Sequence, residues 1–365
     1  MRSALCRSGC PGAALRGAVR RLARPALLLA AALLWAPSGS ATTLETLGRL
    51  QGVPALPGME DTLRAALAAD LPGWSRPEVD AVGNLVVDMG GQGPLRLLVA
   101  PLDEPGYVIT ELDTLGFARV SRLGGAGRLF DQFQVGQRFR ILTARGPLPA
   151  VSLAPSLHLR GAAPAEPLTA GDLWLDAGFR SRAEAGHAGV QLLDPLTPVE
   201  RFTLLAGARA AGPALEARAE VVALLRALMG ERPSGRGHWV AAFTAQAQPG
   251  GLGLKRLMRR FQPAEVYLLG GFPRARLGSG PAVHADSLRG LDPELARAMV
   301  TLGGKGVQRQ AASMAPARAG IDPLDKAAVA VLGLPVRYAR TPVEVVDAGD
   351  VDALAAFLRR LLEAR

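Results

Sequence analysis

Strand-like and helix-like hydrophobic patterns alternate near both ends of the chain, whereas its middle has only strand-like segments. Short apolar runs at 85–87 and 95–100, bounded by Gly and Pro, are typical of buried strands. Apolar residues recur at helical spacing at 214–229 and 350–365. From about residue 106 to 205, only brief strand-like segments occur between Gly and Pro turns. This order predicts an α/β layer architecture that is interrupted by an all-β insertion.

The first 41 residues have the three parts of a secretory signal peptide. Arginines between Arg16 and Arg24 form a positive region, and eleven apolar residues follow at 26–36. Small residues at 37–41 then suit a signal peptidase, with cleavage expected after Ala41. Because a normal transmembrane helix needs about 20 apolar residues, we expect no stable membrane anchor. The predicted location is the periplasm or the cell exterior.

Charge and cysteine content exclude several classes of function. The formal net charge is +10, but six arginines and no acidic residue lie in the first 41 positions, which leaves 36 basic and 32 acidic residues. That balance is too mild for a nucleic-acid-binding surface, and we expect no nucleic-acid partner. Both cysteines, Cys6 and Cys10, belong to the predicted signal. A mature chain without cysteine excludes thiol catalysis, disulfides and cysteine metal sites.

Residue chemistry alone predicts no complete active site. The four histidines stand apart from one another and from any His-Glu-x-x-His or His-x-Asp context. No Gly-x-Ser-x-Gly turn of a serine hydrolase is present, and the glycines at 250–253 lack the spacing of a nucleotide-binding loop. The one suggestive acidic pair is Asp103 and Glu104, directly after a predicted buried strand. Sites in α/β sheets lie at such carboxyl strand ends.

Motifs along the chain resemble, in order, those of the tetrahedral/glutamyl aminopeptidase family, also known as the cellulase M type. The resemblance covers about residue 44 to the carboxyl terminus. It rests on the segments 56–60 (LPGME), 80–86 (DAVGNLV), 101–107 (PLDEPGY), 175–178 (LDAG) with 182–185 (RAEA), 214–218 (ALEAR), 245–250 (AQAQPG), 277–281 (LGSGP) and 337–347 (RYARTPVEVVD).

The resemblance implies a dinuclear metallopeptidase fold, with a mixed central sheet flanked by helices and an inserted small β-barrel-like domain. The domain organisation predicted on this basis is a signal peptide at 1–41, an aminopeptidase-like α/β domain at 42–107 and 210–365, and an inserted β domain of the dimerisation type at 108–209. In the family, two zinc or cobalt ions about 3.5 Å apart activate a bridging water molecule.

The family's metal ligands and general base are largely replaced in this sequence. The resemblance assigns the former metal positions to Pro101, Glu216, Gln248, Gly270 and Arg340, with Gly271 as the alternative to Gly270. The former general base corresponds to Ala247. Asp103 and Glu104 remain as possible remnants of the site, and Glu216 is the one conservative exchange. Arg340 stands where the family has a histidine ligand. It therefore places a permanent cation where the family binds a dication.

These departures indicate an exported pseudoenzyme that acts as a peptide-binding protein, a scaffold or a partner subunit. No cofactor is expected on this hypothesis. The alternative is an active metal-dependent aminopeptidase with an altered site, perhaps one zinc or cobalt ion held by Asp103, Glu104 and Glu216. A third class of function is assembly through the β insertion. A peptide or another protein is the expected partner, and the resemblance implies a homo-oligomer.

Arg340 leads to two opposed expectations. Its guanidinium can remain available for the carboxylate or phosphate of a ligand, which it would bind bidentately. Alternatively it pairs with Asp103 or Glu104 and fills the former metal pocket, and this internal ion pair is the expectation that we favour. Exchange of Arg340 for Met distinguishes the two by its effect on stability.

Overall fold

The computed structural model describes residues 38–124, 130–154, 167–199, 201–235, 237–284, 291–310, 321 and 326–364. Seven α-helices occur in these ranges: α1 Ser38–Gln51, α2 Asp61–Asp70, α3 Arg182–Ala188, α4 Leu215–Leu228, α5 Leu252–Phe261, α6 Pro293–Gly303 and α7 Ala348–Ala364. The first nine strands there are β1 Glu78–Val79, β2 Leu85–Gly90, β3 Gln92–Pro101, β4 Gly106–Leu112, β5 Ala118–Leu123, β6 Arg138–Thr143, β7 Gly146–Leu153, β8 Trp174–Asp176 and β9 Pro195–Pro198. The remaining eight are β10 Thr203–Leu205, β11 Arg209–Gly212, β12 Gly237–Thr244, β13 Glu265–Leu269, β14 Ala282–His284, β15 Gln308–Gln310, β16 Ala328–Gly333 and β17 Glu344–Asp347.

The central sheet has eight strands in the order β1-β2-β12-β3-β13-β16-β14-β15. Its middle strands β12, β3, β13 and β16 are parallel neighbours, while β2 and β14 run antiparallel to them. Parallel strands are usually buried on both faces, and β3 follows this rule. Leu97 and Val99 pack into the cluster that includes α5, whereas Leu98 and Ala100 pack into the larger cluster with α1, α4 and α7.

Helix signals in the sequence account for the ends of the flanking helices. Asp292 caps α6 by accepting hydrogen bonds from the backbone N–H groups of Glu294 and Leu295 at 2.8 and 2.9 Å, and Pro293 occupies the first turn. Helix α5 begins after Gly251, whose φ of +67° suits glycine. Gly250 and Gly251 therefore belong to the turn between β12 and α5.

Between the central strand β3 and the helix α4, the chain forms a closed barrel of six strands in the order β4-β5-β8-β7-β6-β9. The barrel has its own hydrophobic cluster around Ile109, Phe139 and Leu175. A further sheet of three strands, β10-β11-β17, follows the barrel. The predicted fold class, a mixed sheet flanked by helices with an inserted barrel, is confirmed.

The predicted signal peptide lies almost wholly outside the described residues. Helix α1 begins at Ser38, so cleavage after Ala41 would remove its first four residues. Among the described residues, none of the helices has the length and apolar content needed to cross a membrane.

Candidate functional site

The carboxyl ends of the parallel strands β3, β12 and β13 meet at one edge of the central sheet. Pro101 at the end of β3 pairs with Thr244 at the end of β12. The segments that follow these strands contain Asp103, Gln248 and Gly270. The positions assigned by the family resemblance therefore lie together at this edge. This is where α/β proteins usually place their sites.

Asp103 holds the turn that follows β12. Its two carboxylate oxygens accept hydrogen bonds from the backbone N–H groups of Ala247 and Gln248, at 2.7 and 2.9 Å respectively. The carboxyl group is fully buried, and burial raises its pKa to about 7 even though the two N–H groups favour the ionised form. Asp103 therefore acts as a structural acceptor for the segment that contains the former general-base position.

Glu216, Glu344 and Arg340 form a continuous chain of hydrogen bonds. The backbone N–H of Glu216 donates to Oε2 of Glu344 at 3.0 Å, and the N–H of Arg340 donates to Oε1 of the same carboxylate at 2.7 Å. Oε1 of Glu216 in turn accepts from the backbone N–H of Gly271. A Cβ atom on Gly271 would lie only 2.3 Å from Cδ of Glu216, so this close approach requires glycine.

Glu220 adds a third buried carboxyl group, one helical turn after Glu216 in α4. Its side chain is completely buried, and neither of its oxygens has a hydrogen-bond donor among the described residues. Burial, followed by the neighbouring Glu216 and Glu344, raises the pKa of Glu220 well above its usual value. Burial also raises the pKa of Glu216 to about 8 and that of Glu344 to about 7. The protonated form of Glu220 supplies the O–H that can bond to Glu216.

The favoured expectation for Arg340, an internal ion pair with Asp103 or Glu104, is wrong. Arg340 is exposed, and its guanidinium forms no ion pair with a residue in the described parts of the chain. Its positive charge nevertheless lowers the pKa of Glu216 and Glu344, as a smaller effect than burial. The physical reason is that both predicted partners already have other donors.

Glu104 is bound to arginines from other elements. Both of its oxygens accept from Nη2 of Arg201 at 2.6 Å, and Nη2 of Arg218 lies 3.7 Å away. All three side chains are buried. Asp103, Glu104 and Glu216 therefore do not converge on one point, and the single-metal arrangement expected for these three residues does not form.

The residues at the former metal centre do not fit a pair of divalent cations. Pro101, Ala247 and Gly270 have no side-chain donor atom, and Arg340 contributes a cation. Zinc sites usually need three or four side-chain ligands from His, Cys, Asp or Glu. Among the described residues, no group of three or more such side chains is arranged to hold a metal ion. Asp103, Glu216 and Glu344 accept hydrogen bonds from backbone N–H groups.

None of the described histidines lies at this edge. His238 is the second residue of β12, at the opposite end of that strand, and contacts Asp88 at 2.9 Å. His284 ends β14, which runs antiparallel to β16 and so points away from the site edge. His187 is exposed in α3, and His158 lies outside the described residues.

Three residues of the site escape prediction from the sequence. Glu344 is part of the RYARTPVEVVD segment, but nothing in that pattern assigns it the backbone contacts that it makes. Glu220 stands in the apolar run of α4, and a carboxyl on the buried face of a helix is the available signal. Arg201 gives no local signal, because its partner Glu104 is remote in sequence.

A parallel-centred sheet, an inserted barrel and an acidic site at the carboxyl strand edge together define an aminopeptidase-like α/β protein. The M42 glutamyl aminopeptidase profile matches residues 83–357. The chain therefore belongs to the M42 glutamyl aminopeptidase family.

Individual relatives support the same assignment. The lysyl aminopeptidase of Pyrococcus furiosus is 26% identical over 309 residues, which cover 78% of this chain and 86% of that protein. The putative aminopeptidase FrvX of Escherichia coli is 30% identical, but the match spans only 48% of this chain and 49% of FrvX. The structure of the Pyrococcus horikoshii TET1 peptidase superposes with a TM-score of 0.77 at 25% identity, covering 88% of this chain and all of that one.

Proposed function

We propose that this protein is an exported M42 homologue without metallopeptidase activity, which acts as a peptide-binding, scaffold or partner subunit. One observation carries the proposal. The carboxylates that remain at the former metal centre accept hydrogen bonds from backbone N–H groups, and the other assigned positions offer no anionic ligand. The acidic side chains here hold loops together.

The electrostatics of the centre also support the proposal. Two dications need several negative ligands, whereas Arg340 adds a positive charge beside Glu216 and Glu344. Hydrolysis in addition needs a general base, and Ala247 has no group that can accept a proton. At these positions a metallopeptidase mechanism would therefore lack both the ligands for its ions and the group that acts as its base.

Metal content and hydrolysis test the proposal directly. The purified mature protein is incubated with zinc or cobalt and desalted, its bound metal is measured by mass spectrometry, and cleavage of amino-acid anilides is followed with and without a chelator. We expect substoichiometric metal and no chelator-sensitive cleavage. Two bound equivalents together with chelator-sensitive cleavage would establish the alternative, an active aminopeptidase with an altered site.

Export to the periplasm or the cell exterior is the second part of the proposal. The arginines before residue 25, the apolar run at 26–36 and the small residues at 37–41 support it. Amino-terminal sequencing of the protein recovered from cell fractions tests it. Residue 42 as the first residue of an extracytoplasmic protein is the expected result, and an intact Met1 in the cytoplasmic fraction contradicts it.

Self-association is the third part. The Pyrococcus horikoshii TET1 peptidase can assemble into a tetrahedron or a large octahedral shell, and its fold is shared over most of this chain. We therefore propose a homo-oligomer. A protein without catalysis can keep such an assembly as its function, in which case the barrel supplies contacts between subunits.

A further inference from the structure

A cavity of about 220 Å³ lies at the amino-terminal ends of the parallel strands β3 and β12. Its lining comes from the end of β2, the loop before β12, the start of β12 and the end of α7. The acidic centre is at the opposite ends of these strands, and the eight residues of β12, at about 3.3 Å each, separate the two by roughly 25 Å. Sites for drug-sized ligands usually measure about 300–1,000 Å³. This cavity therefore suits one residue of a ligand rather than a long segment.

The loop between α4 and β12 is fixed by side chains from two other parts of the chain. Nε1 of Trp74, in the loop after α2, donates to the carbonyl oxygen of Gly230 at 2.8 Å. Nη1 of Arg359 in α7 donates to the carbonyl oxygen of Glu231 at 2.7 Å. A loop that is already held in place loses little conformational freedom when a ligand binds to it. The residues that follow in this loop are thus positioned before any ligand binds.

Arg232 and Ser234 are the polar side chains at the mouth of the cavity, and both are exposed. Nη2 of Arg232 donates to the carbonyl oxygen of Met89, which fixes the guanidinium beside the cavity. Within the described parts of the chain, Arg232 forms no ion pair and the hydroxyl of Ser234 forms no hydrogen bond. A guanidinium has five N–H donors, so Arg232 retains donors for a ligand. Neither Asp nor Glu belongs to the described lining, whose single charge is positive.

The inner wall of the cavity is apolar. Met89, Trp239 and Leu362 line it, and at most 5% of each residue is exposed. The ring of Trp239 packs against that of Tyr267, with 5.2 Å between the ring centroids, so this wall is fixed as well. The cavity thus combines donors for an anion at its mouth with an apolar surface inside.

We propose that this cavity binds the carboxyl terminus of a peptide whose last residue has an apolar side chain. The guanidinium of Arg232 binds the carboxylate, Ser234 donates its hydroxyl to the same group, and the inner wall contacts the side chain. A carboxyl-terminal residue fits because its carboxylate and its side chain are attached to the same Cα atom, and one guanidinium balances one carboxylate. The inference rests on the peptide-binding form of the proposed function, to which it adds a ligand and a site.

Calorimetric titration of the mature protein in the presence of a chelator tests the inference. The probes are the tripeptide N-acetyl-Ala-Ala-Leu, its carboxamide, and N-acetyl-Ala-Ala-Gly. We expect the first to bind at least about tenfold more tightly than its carboxamide, which lacks the charge, a factor that corresponds to about 1.4 kcal/mol. It should also bind about tenfold more tightly than the glycine peptide, which has no side chain for the inner wall. Equal affinity within either pair overturns the inference.

Arg232→Met locates the carboxylate. This variant should bind N-acetyl-Ala-Ala-Leu about tenfold more weakly and should no longer distinguish it from the carboxamide. A purely structural role of Arg232 would weaken both probes equally. Arg297→Met, which removes an exposed arginine of α6 outside the lining, is the control and should bind both probes as the wild type does. Unchanged selectivity in Arg232→Met overturns the inference.

A second variant guards against misfolding. Ser234 is exposed, so Ser234→Trp should be tolerated in the fold while its side chain fills the cavity and abolishes binding. Binding by folded Ser234→Trp, or no saturable binding by the wild type, overturns the inference and leaves the proposed lack of metallopeptidase activity in place. Two bound metal ions with chelator-sensitive cleavage would instead overturn that proposal, whatever the cavity binds.

Discussion

At the level of single residues, three carboxyl groups buried together make the acidic centre sensitive to pH. The folded state holds the protons of Glu216, Glu220 and Glu344 more tightly than the unfolded chain does, because burial raises all three pKa values above 4.5. Wherever the folded state binds more protons than the unfolded state, the free energy of unfolding falls as the pH rises. We therefore expect the contribution of this cluster to be greatest near pH 4 and to decline towards pH 8.

Glu220→Gln tests this expectation. The amide is neutral at every pH and donates an N–H towards Glu216, so the variant should be more stable than the wild type at pH 8. A gain of about 1–3 kcal/mol is expected there, the usual cost of a buried polar group without a partner. The difference should shrink as the pH falls towards 4. Urea unfolding between pH 4 and 8.5 measures it.

The control for this variant is Glu45→Gln, which changes an exposed glutamate of α1. It should follow the wild-type pH profile. If Glu220→Gln also follows that profile, or loses stability at pH 8, the account of a proton-holding cluster is wrong.

Arg340 contributes less to the free energy of unfolding than an internal ion pair would. Because its side chain is exposed, Arg340→Met should change the free energy of unfolding by less than about 1 kcal/mol. Arg340→Gly should instead stabilise the protein by several tenths to about 1 kcal/mol, since residue 340 has a φ of +61°. Thermal unfolding of both variants checks these values. A loss above about 3 kcal/mol for Arg340→Met would instead support a buried ion pair of Arg340.

At the level of elements, the buried cluster of Glu104, Arg201 and Arg218 connects the two segments in which the chain passes between the α/β domain and the barrel. Glu104 lies where β3 leads into the barrel, and Arg201 lies where β9 leads out of it. Nε of Arg201 also donates to the carbonyl oxygen of Gln51 at 2.8 Å, and its Nη1 donates to Thr197 at 2.9 Å. The guanidinium thus connects the end of α1, the barrel and the loop after β3.

Arg201→Met should therefore destabilise the protein by about 3–5 kcal/mol, because it leaves Glu104 buried with only the more distant Arg218. The double variant Glu104→Gln/Arg201→Met should recover part of that loss. Urea unfolding of the two single variants and the double variant gives the coupling energy. Arg49→Met, at an exposed pair with Asp70, is the control and should cost less than about 1 kcal/mol. Equal losses for Arg201→Met and Arg49→Met would contradict this role.

The sequence predicts the regular elements well, because their patterns are local. Apolar spacing predicts helices at 214–229 and 350–365, and the structure has them at Leu215–Leu228 and Ala348–Ala364, within two residues at each end. Two barrel strands give no such signal. Strand β8 has three residues, and β9 begins and ends with Pro195 and Pro198, which are unfavourable within a sheet. They are defined by their pairing with remote strands in the closed barrel.

The site is less predictable than the fold, since its contacts join residues that are remote in sequence. Asp103 is predictable as a residue at a strand end, but its bonds to Ala247 and Gln248 depend on the pairing of β3 with β12. The wrong expectation for Arg340 has the same origin. Glu104 finds Arg201 only because the chain returns from the barrel beside it.

For the whole molecule, the buried cluster of Glu104, Arg201 and Arg218 limits how the role of the barrel can be tested. Deleting residues 108–209 would remove Arg201, the close partner of Glu104, and leave Glu104 with only Arg218 at 3.7 Å. A buried carboxylate that loses its close partner lowers stability regardless of any contact between subunits. Substitutions on the barrel surface are therefore the sharper test of assembly.

Exposed leucines of the barrel provide these substitutions. Leu192 and Leu193 are 59% and 67% exposed in the loop before β9, and adjacent exposed leucines favour a protein contact. We expect light scattering after gel filtration to give a mass of at least a dimer for the wild type, and a smaller one for Leu192→Ser/Leu193→Asn. Asn suits residue 193 because its φ is +69°. Leu204→Ser/Leu205→Ser, on the exposed strand β10, is the matched control and should assemble as the wild type does. A monomeric wild type would contradict the proposed oligomer. Loss of assembly in the β10 variant alone would instead place the contact on that strand, because an edge strand offers unpaired backbone groups to a second chain.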